Sequence, residues 1–401
     1  MEAVTTLFLL VVGVPLGLFA FYQIFWLALS VYALLRRRSV PLPGPATTRF
    51  GVLIPAHNEE LLIGDVLASL ERQRYPCELF DVIVIADNCD DATAQIARRA
   101  GATCLERRDT ERRGKPYALD WALSQLDLNR YDAFCILDAD TLADPAFLAA
   151  MDAELQRGHK ALQGEIGVMN PDENWLTRLA IVPSGIKFKL HFPGKNLVGH
   201  SCPLAGNGMC FDAEIFRRFG WKAYSLAENW EYHALLSEHG YQVSSVNAAR
   251  VYGQVTNTLK TARNQRVRWL KGRLETLQRY WRPLLQGGLR GDLAKLDTLI
   301  EIVRPSYSML LLWSGFYWLL CAALALAGVI GTPWWAYASA VLGAQVFYFL
   351  AALVVQRAPL RTWLSLFMVP PYLAWKLALS VSGVLSLKDK HWIRTARHKV
   401  G

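Results

Sequence analysis

The chain has 401 residues, 53% hydrophobic and 19% charged, with a formal net charge of +9. That apolar content, with a positive mean hydropathy, is high for a soluble globular protein and points to a membrane protein carrying a soluble domain. The basic residues cluster beside apolar segments, at Arg36-Arg37-Arg38 and from Lys388 to Lys399, which suits anionic lipid headgroups rather than nucleic acid. The seven cysteines show no CxxC pairing and read as reduced thiols, not a disulfide framework.

Leu7 to Leu35 is an apolar run without a charged residue, long enough to span a bilayer with some tilt. It is too long for a signal-peptide core, and no A-x-A-like site follows it. Arg36-Arg37-Arg38 then places the next domain in the cytoplasm. Residues 1–38 thus read as an N-terminal transmembrane helix. Residues 39–49, with Pro41, Pro43, Gly44 and Pro45, read as a stiff linker.

From residue 50 strand and helix signals alternate. Strands are expected at Phe50–Pro55, Asp81–Ala86, Thr103–Glu106 and Ala133–Leu137, and helices at Leu61–Arg72, Thr93–Ala100 and Tyr117–Leu126. Such alternation predicts an α/β domain with a parallel, doubly wound sheet. The first, second and fourth of these strands run into polar residues: His57-Asn58-Glu59-Glu60, Asp87-Asn88-Cys89-Asp90-Asp91, and Asp138-Ala139-Asp140-Thr141. Ligands of open α/β sheets bind at such strand ends. Residues i and i+2 of a strand share a face, so Asp138 and Asp140 are expected to aim at one point. Two adjacent carboxylates repel unless a positive charge lies between them, and a hard divalent cation bridging to phosphate fits. The same stretch also reads as a strand end before a helix capped at Asp144-Pro145.

After residue 304, Ser306–Gly331 and Pro333–Val355 read as a transmembrane hairpin within residues 305–356. Leu360–Leu387 is interrupted by Pro370-Pro371, contains Lys376 and has basic flanks. Those flanks favour one side of the membrane, so residues 357–401 are expected to form an interfacial or re-entrant segment with a basic cytoplasmic tail. A third span is the alternative.

Together the motifs IPAHNEE, IADNCDD, RRGKPYAL, ILDADT, AGNGMCF with AENWEYH, and QRVRW resemble those of membrane-bound family-2 glycosyltransferases. These have a GT-A nucleotide-sugar domain, and the group includes cellulose, hyaluronan and poly-N-acetylglucosamine synthases. The short bacterial enzymes are the more similar. The resemblance covers roughly residues 50–275 and implies a Rossmann-like, mostly parallel GT-A domain over 50–262. Interfacial helices with the QxxRW motif would follow over 263–304.

The resemblance also implies roles. Pro55, Ala56, Asn58 and Glu59 match the loop that holds the nucleoside. Asp87 matches the carboxylate that binds the base, usually uracil, and Lys115 a basic residue near the nucleotide. Asp138 and Asp140 match the pair at the nucleotide and metal (Mg²⁺ or Mn²⁺), with Asp140 the direct ligand. Gly206, Asn207, Gly208 and Met209 match a loop lining the donor-sugar and acceptor pocket. Gln265 and Arg268 would approach the diphosphate, and Trp269 would stack on an acceptor sugar. Trp175–Cys202, which mixes Phe188, Leu190 and Phe192 with Lys187, Lys189 and Lys195, is expected to decide the acceptor. Lys115 and the basic helix residues also read as solvated or headgroup-facing charges.

The implied reaction is one inverting displacement at an anomeric carbon, in which a carboxylate takes the acceptor proton. The family's base lies in a Glu-Asp pair; here the pair is Glu228-Asn229, and an amide cannot serve as a base. Glu228 is therefore the first choice and Glu231, at i+3 on a helix, the second. The expected protein is a multi-pass enzyme of the bacterial inner membrane with a cytosolic catalytic domain. It would move sugar from a nucleotide sugar, such as a UDP-sugar, to a lipid, lipid-linked or polysaccharide acceptor. A processive synthase that exports a β-glycan is the alternative, and would need self-association or an accessory export partner. A non-catalytic nucleotide-sugar-binding subunit is a further alternative. A transporter is disfavoured because the spans lack carboxylates.

Overall fold

A computed structural model describes residues 12–35 and 44–385. The basic run Arg36-Arg37-Arg38, the first part of the linker and the tail from Lys388 lie outside the described residues. The chain forms two compact units. One contains Arg38–Thr177 and Val198–Val303; the other contains Met1–Arg37, Arg178–Leu197 and Arg304–Lys388.

The first unit is built on an eight-stranded sheet: β1 Phe50–Ala56, β2 Phe80–Asp87, β3 Thr103–Arg107, β4 Ala133–Ile136, β5 Thr141–Ala143, β6 Ala161–Val168, β7 Met209–Asp212 and β8 Val243–Gly253. Their order is β3-β2-β1-β4-β7-β6-β8-β5. Val52, Ile54, Val84, Ala133 and Cys135 are buried with Ile63, Val66, Phe147 and Met151 of the covering helices. A strand buried on both faces must be apolar at every position, which is why β1 and β4 read as unbroken hydrophobic runs.

The strand ends fall within one or two residues of expectation, and β1, β2, β3 and β4 are parallel as expected. The sheet as a whole is mixed and mostly parallel, in keeping with the Rossmann-like expectation. β7 enters antiparallel between β4 and β6, with Cys210 opposite Cys135, and β5 pairs antiparallel with β8. These strands are three or four residues long, too short to announce themselves by periodicity.

β4 also ends before the acidic pair. The backbone N–H of Thr141 donates to the carbonyl of Asp138 at 3.1 Å, so Asp138-Ala139-Asp140-Thr141 is a tight turn. The two carboxylates are therefore not placed by strand alternation.

The second unit contains three helices long and apolar enough to cross a membrane: Val14–Leu35, Tyr307–Leu326 and Thr332–Val355. Trp26, Val182, Ile186, Leu190, Leu310, Tyr348 and Leu353 form one buried cluster here. Arg178–Leu197 thus packs with apolar helices remote in sequence. Gly194 has a physical reason: a Cβ there would lie 2.4 Å from the carbonyl oxygen of Leu29. Pro370 and Pro371 sit in the first turn of helix Val369–Leu385, where a missing N–H is tolerated. They start that helix after a 3₁₀ turn over Ser365–Met368. Lys376 donates through Nζ to the hydroxyls of Ser306, at 2.9 Å, and Ser308.

Candidate active site

The parallel strands deliver their polar ends to one edge of the sheet. After β1, Asn58 turns with φ 56° and after β2 Asn88 turns with φ 54°, a conformation that asparagine tolerates. The two loops are laced together. Asp90 N–H donates to Asn58 Oδ1 at 2.8 Å, and Glu59 N–H to Thr93 Oγ1 at 2.8 Å. Pro55 is half-buried and Ala56 buried in β1 itself. The His57 ring meets the carbonyl of Asp87 at 2.7 Å.

The Asp87 carboxylate, at the end of β2, faces Arg107 at the end of β3. These two residues are direct neighbours in the parallel register, and Arg107 Nη1 donates to Asp87 Oδ1 at 2.6 Å. The sequence reading missed Arg107. Its only sequence signal is its place at a strand end.

Lys115 begins the helix Lys115–Gln125 directly after Gly114, whose φ of 106° is left-handed. Its Nζ lies 2.5 Å from Asp138 Oδ1, donates to the carbonyl of Gly206, and lies 3.9 Å from Glu228 Oε1. Burial disfavours its charge, but Asp138, Glu228 and Asp140 outweigh that and hold the pKa above the usual lysine value. Four predicted residues, Lys115, Asp138, Gly206 and Glu228, are thus brought together.

The Gly206–Gly208 loop is held just as closely. Asn207 Oδ1 accepts from the backbone N–H of Asp138 at 3.1 Å, and its Nδ2 donates to Thr141 Oγ1 at 2.7 Å. Gln163, fully buried, donates to the Asn207 carbonyl and accepts from Ala205 N–H. Gly206 and Gly208 take φ 89° and 63°. Met209 is buried in β7.

Asp138 keeps 38% of its side chain exposed, whereas Asp140 is 8% exposed. Among the described residues no three His, Cys, Asp or Glu side chains gather. A pair of carboxylates fits a hard divalent cation whose other positions are filled by phosphate oxygens and water.

The helix Glu228–Glu238 places its two acidic candidates differently. Glu228, in the first turn, faces Lys115. Glu231 is 1% exposed. It accepts from Ser225 N–H at 2.6 Å and is paired with Arg279. Asn229 donates to the carbonyl of Leu204. The long helix Leu259–Leu289 carries Gln265, Arg268 and Trp269. Trp269 is 45% exposed, and the Nε of Arg268 is buried with no hydrogen-bond partner among the described residues. The same helix comes close to the start of the Glu228 helix at Gly272, where a Cβ would lie 2.2 Å from Ala227 N.

A turn bearing two aspartates, a lysine, a glycine-rich loop and a carboxylate at a helix start thus come together beside the end of β4. The family model described as Glycosyl transferase family group 2 matches residues 133–379, more than half of the chain, and the chain belongs to that family. It is 26% identical over 234 residues to a probable glycosyltransferase, YdaM, of Bacillus subtilis, covering 56% of this chain and 55% of that one. It is 34% identical over 130 residues to 4,4'-diaponeurosporenoate glycosyltransferase of Staphylococcus aureus, covering 32% of each. The chain spans about half the length, or less, of these curated relatives.

Among solved structures, a mannosyltransferase from Pyrobaculum calidifontis in complex with GDP-Man and Mn²⁺ has a TM-score of 0.49 at 20% identity. That match covers 88% of this chain and 97% of that one. Glucosyl-3-phosphoglycerate synthase from Mycobacterium tuberculosis, with Mn²⁺, UDP and phosphoglyceric acid, has a TM-score of 0.42 at 18% identity, covering 59% and 84%.

Proposed function

We propose that this glycosyltransferase is a membrane-bound, inverting and metal-dependent enzyme. It takes sugar from a nucleotide diphosphate donor, UDP-sugar in the first instance, and transfers it to a lipid or lipid-linked acceptor at the cytoplasmic face. The observation that carries this reading is the convergence on Lys115 of Asp138, the Gly206 carbonyl and Glu228. A proton acceptor, a cation and a metal-type carboxylate pair thereby lie around one point.

In this mechanism Glu228 accepts the proton of the acceptor hydroxyl. The hydroxyl oxygen bonds to the anomeric carbon as the bond from that carbon to the diphosphate breaks, so the configuration inverts. Asp140, with Asp138, would hold Mg²⁺ or Mn²⁺, which when bound supplies charge neutralisation of the departing diphosphate. Lys115 and the unpartnered donor of Arg268 add fixed positive charge at the phosphates. Asn58, Glu59 and Asp87 line the nucleoside end, and exposed Trp269 offers an aromatic face to the acceptor. Glu231 is the weaker base because Arg279 and Ser225 already occupy its carboxylate.

A lipid acceptor is supported by the three apolar helices and by the relative named for diaponeurosporenoate. The deciding experiment is nucleotide release by the full chain in detergent with native lipid extract. Several UDP- and GDP-sugars would be offered with Mg²⁺ or Mn²⁺, beside Asp140→Asn and Glu228→Gln. Release that needs metal and lipid and is lost in both variants supports the proposal. Nucleotide binding without release under any condition sinks it in favour of a non-catalytic subunit.

A further inference from the structure

We propose that Arg107 is the positioning residue of the nucleobase pocket, and that it commits the pocket to a base with an N–H on its pairing edge. The proposal rests on the nucleotide-sugar reading above. Arg107 closes β3 and is only 5% exposed. A guanidinium so placed is costly unless its donors are met by acceptors of fixed geometry. They are. Nη1 donates to Asp87 Oδ1 at 2.6 Å, and Nη2 to Asp109 Oδ2 at 2.8 Å and to the Arg112 carbonyl at 2.8 Å.

The consequence for Asp87 is a fixed orientation. Its Oδ1 takes Arg107 and the Asn88 amide, at 3.0 Å, while among the described residues Oδ2 takes only the Gly114 N–H at 3.4 Å. Oδ2 is the oxygen with accepting capacity to spare. An ionised carboxylate accepts and never donates. The group that complements it on a base is an N–H, as at N3 of uracil or N1 of guanine. Cytosine N3 and adenine N1 present lone pairs there and are repelled.

Arg107 also ties this pocket to the phosphate end. It holds Asp109, whose backbone exchanges two hydrogen bonds with the Asn88 side chain. The loop so anchored runs to Gly114 and delivers Lys115 to Asp138. A lysine would supply the charge at 107 but not the planar fork that spans two carboxylates.

The test is calorimetric binding of UDP, GDP, CDP and ADP, each with Mg²⁺, to the detergent-purified full chain. The wild type should bind UDP or GDP roughly 100-fold more tightly than CDP or ADP, since a mismatched base leaves a buried carboxylate facing a lone pair. Arg107→Lys should shrink that ratio at least about tenfold. Asp109→Asn leaves Asp87 intact but loosens Arg107, and should narrow the ratio in the same direction. It carries the test where Arg107→Lys does not fold. Arg108→Ala, which removes only the exposed pair with Asp90, should leave the ratio unchanged. A ratio unchanged in the Arg107 and Asp109 variants, or a wild type that binds CDP as well as UDP, overturns the proposal while leaving the transferase reading standing. No binding of any nucleotide overturns both.

Discussion

Asn229 donates through Nδ2 to the carbonyl oxygen of Leu204 at 2.6 Å. The contact joins the start of the Glu228 helix to the loop whose Gly206 carbonyl receives Lys115. A Cβ at Gly206 would come within 3.6 Å of the Asn229 side chain. Only a donor satisfies Leu204, and a carboxylate there would face a carbonyl oxygen. Asn229→Asp should therefore lower kcat by about tenfold, the equivalent of one lost hydrogen bond and one repulsive contact. Equal or higher activity, measured at saturating donor, would mean that the Leu204 contact does not position the start of the Glu228 helix.

Glu228 and Glu231 should separate catalysis from stability. Glu228→Gln removes the proton acceptor and should lower kcat by about 10²–10⁴-fold with an unchanged thermal midpoint. Glu231→Gln weakens the pair with Arg279 and the hold on Ser225. It should destabilise by about 1–3 kcal/mol while keeping most of kcat per folded molecule. The reverse pattern, read from parallel melting and rate assays, would reassign the base.

Gly272→Ala is a steric test. Alanine is the better helix former by about 1 kcal/mol, yet its Cβ would lie 2.2 Å from Ala227 N and 2.5 Å from Ala227 Cβ. The long helix must shift away from the residue that precedes Glu228. We expect lower kcat together with a raised donor KM, because Arg268 lies one turn earlier on the same helix. A variant that melts higher and turns over normally would mean that the two helices do not meet at this glycine.

Arg268 should act on the donor. Arg268→Ala should raise the donor KM by about tenfold or more, and Arg268→Lys should restore it only in part, because a point charge does not reproduce the guanidinium fork. Full activity of Arg268→Ala across UDP-sugar concentrations would remove it from the diphosphate site.

The sequence by itself determined the parts set by local chemistry. The strands β1, β2 and β4 were legible because a doubly buried strand must be apolar throughout, and the helices Val14–Leu35, Tyr307–Leu326 and Thr332–Val355 because each is one long apolar run. The residues at the strand ends, Asp87, Asp138 and Asp140 among them, were legible because polar side chains interrupt those runs. The tertiary structure alone decided which distant residues meet. Arg107 reaches Asp87 through strand register, Arg279 takes Glu231 through helix packing, and Asn229 takes Leu204 across a loop. It also decided that β7 runs antiparallel and that Arg178–Leu197 joins the apolar helices. None of these leaves a periodic trace, because register and packing are fixed by contacts between segments far apart in the chain, whereas periodicity records only the neighbours of each residue.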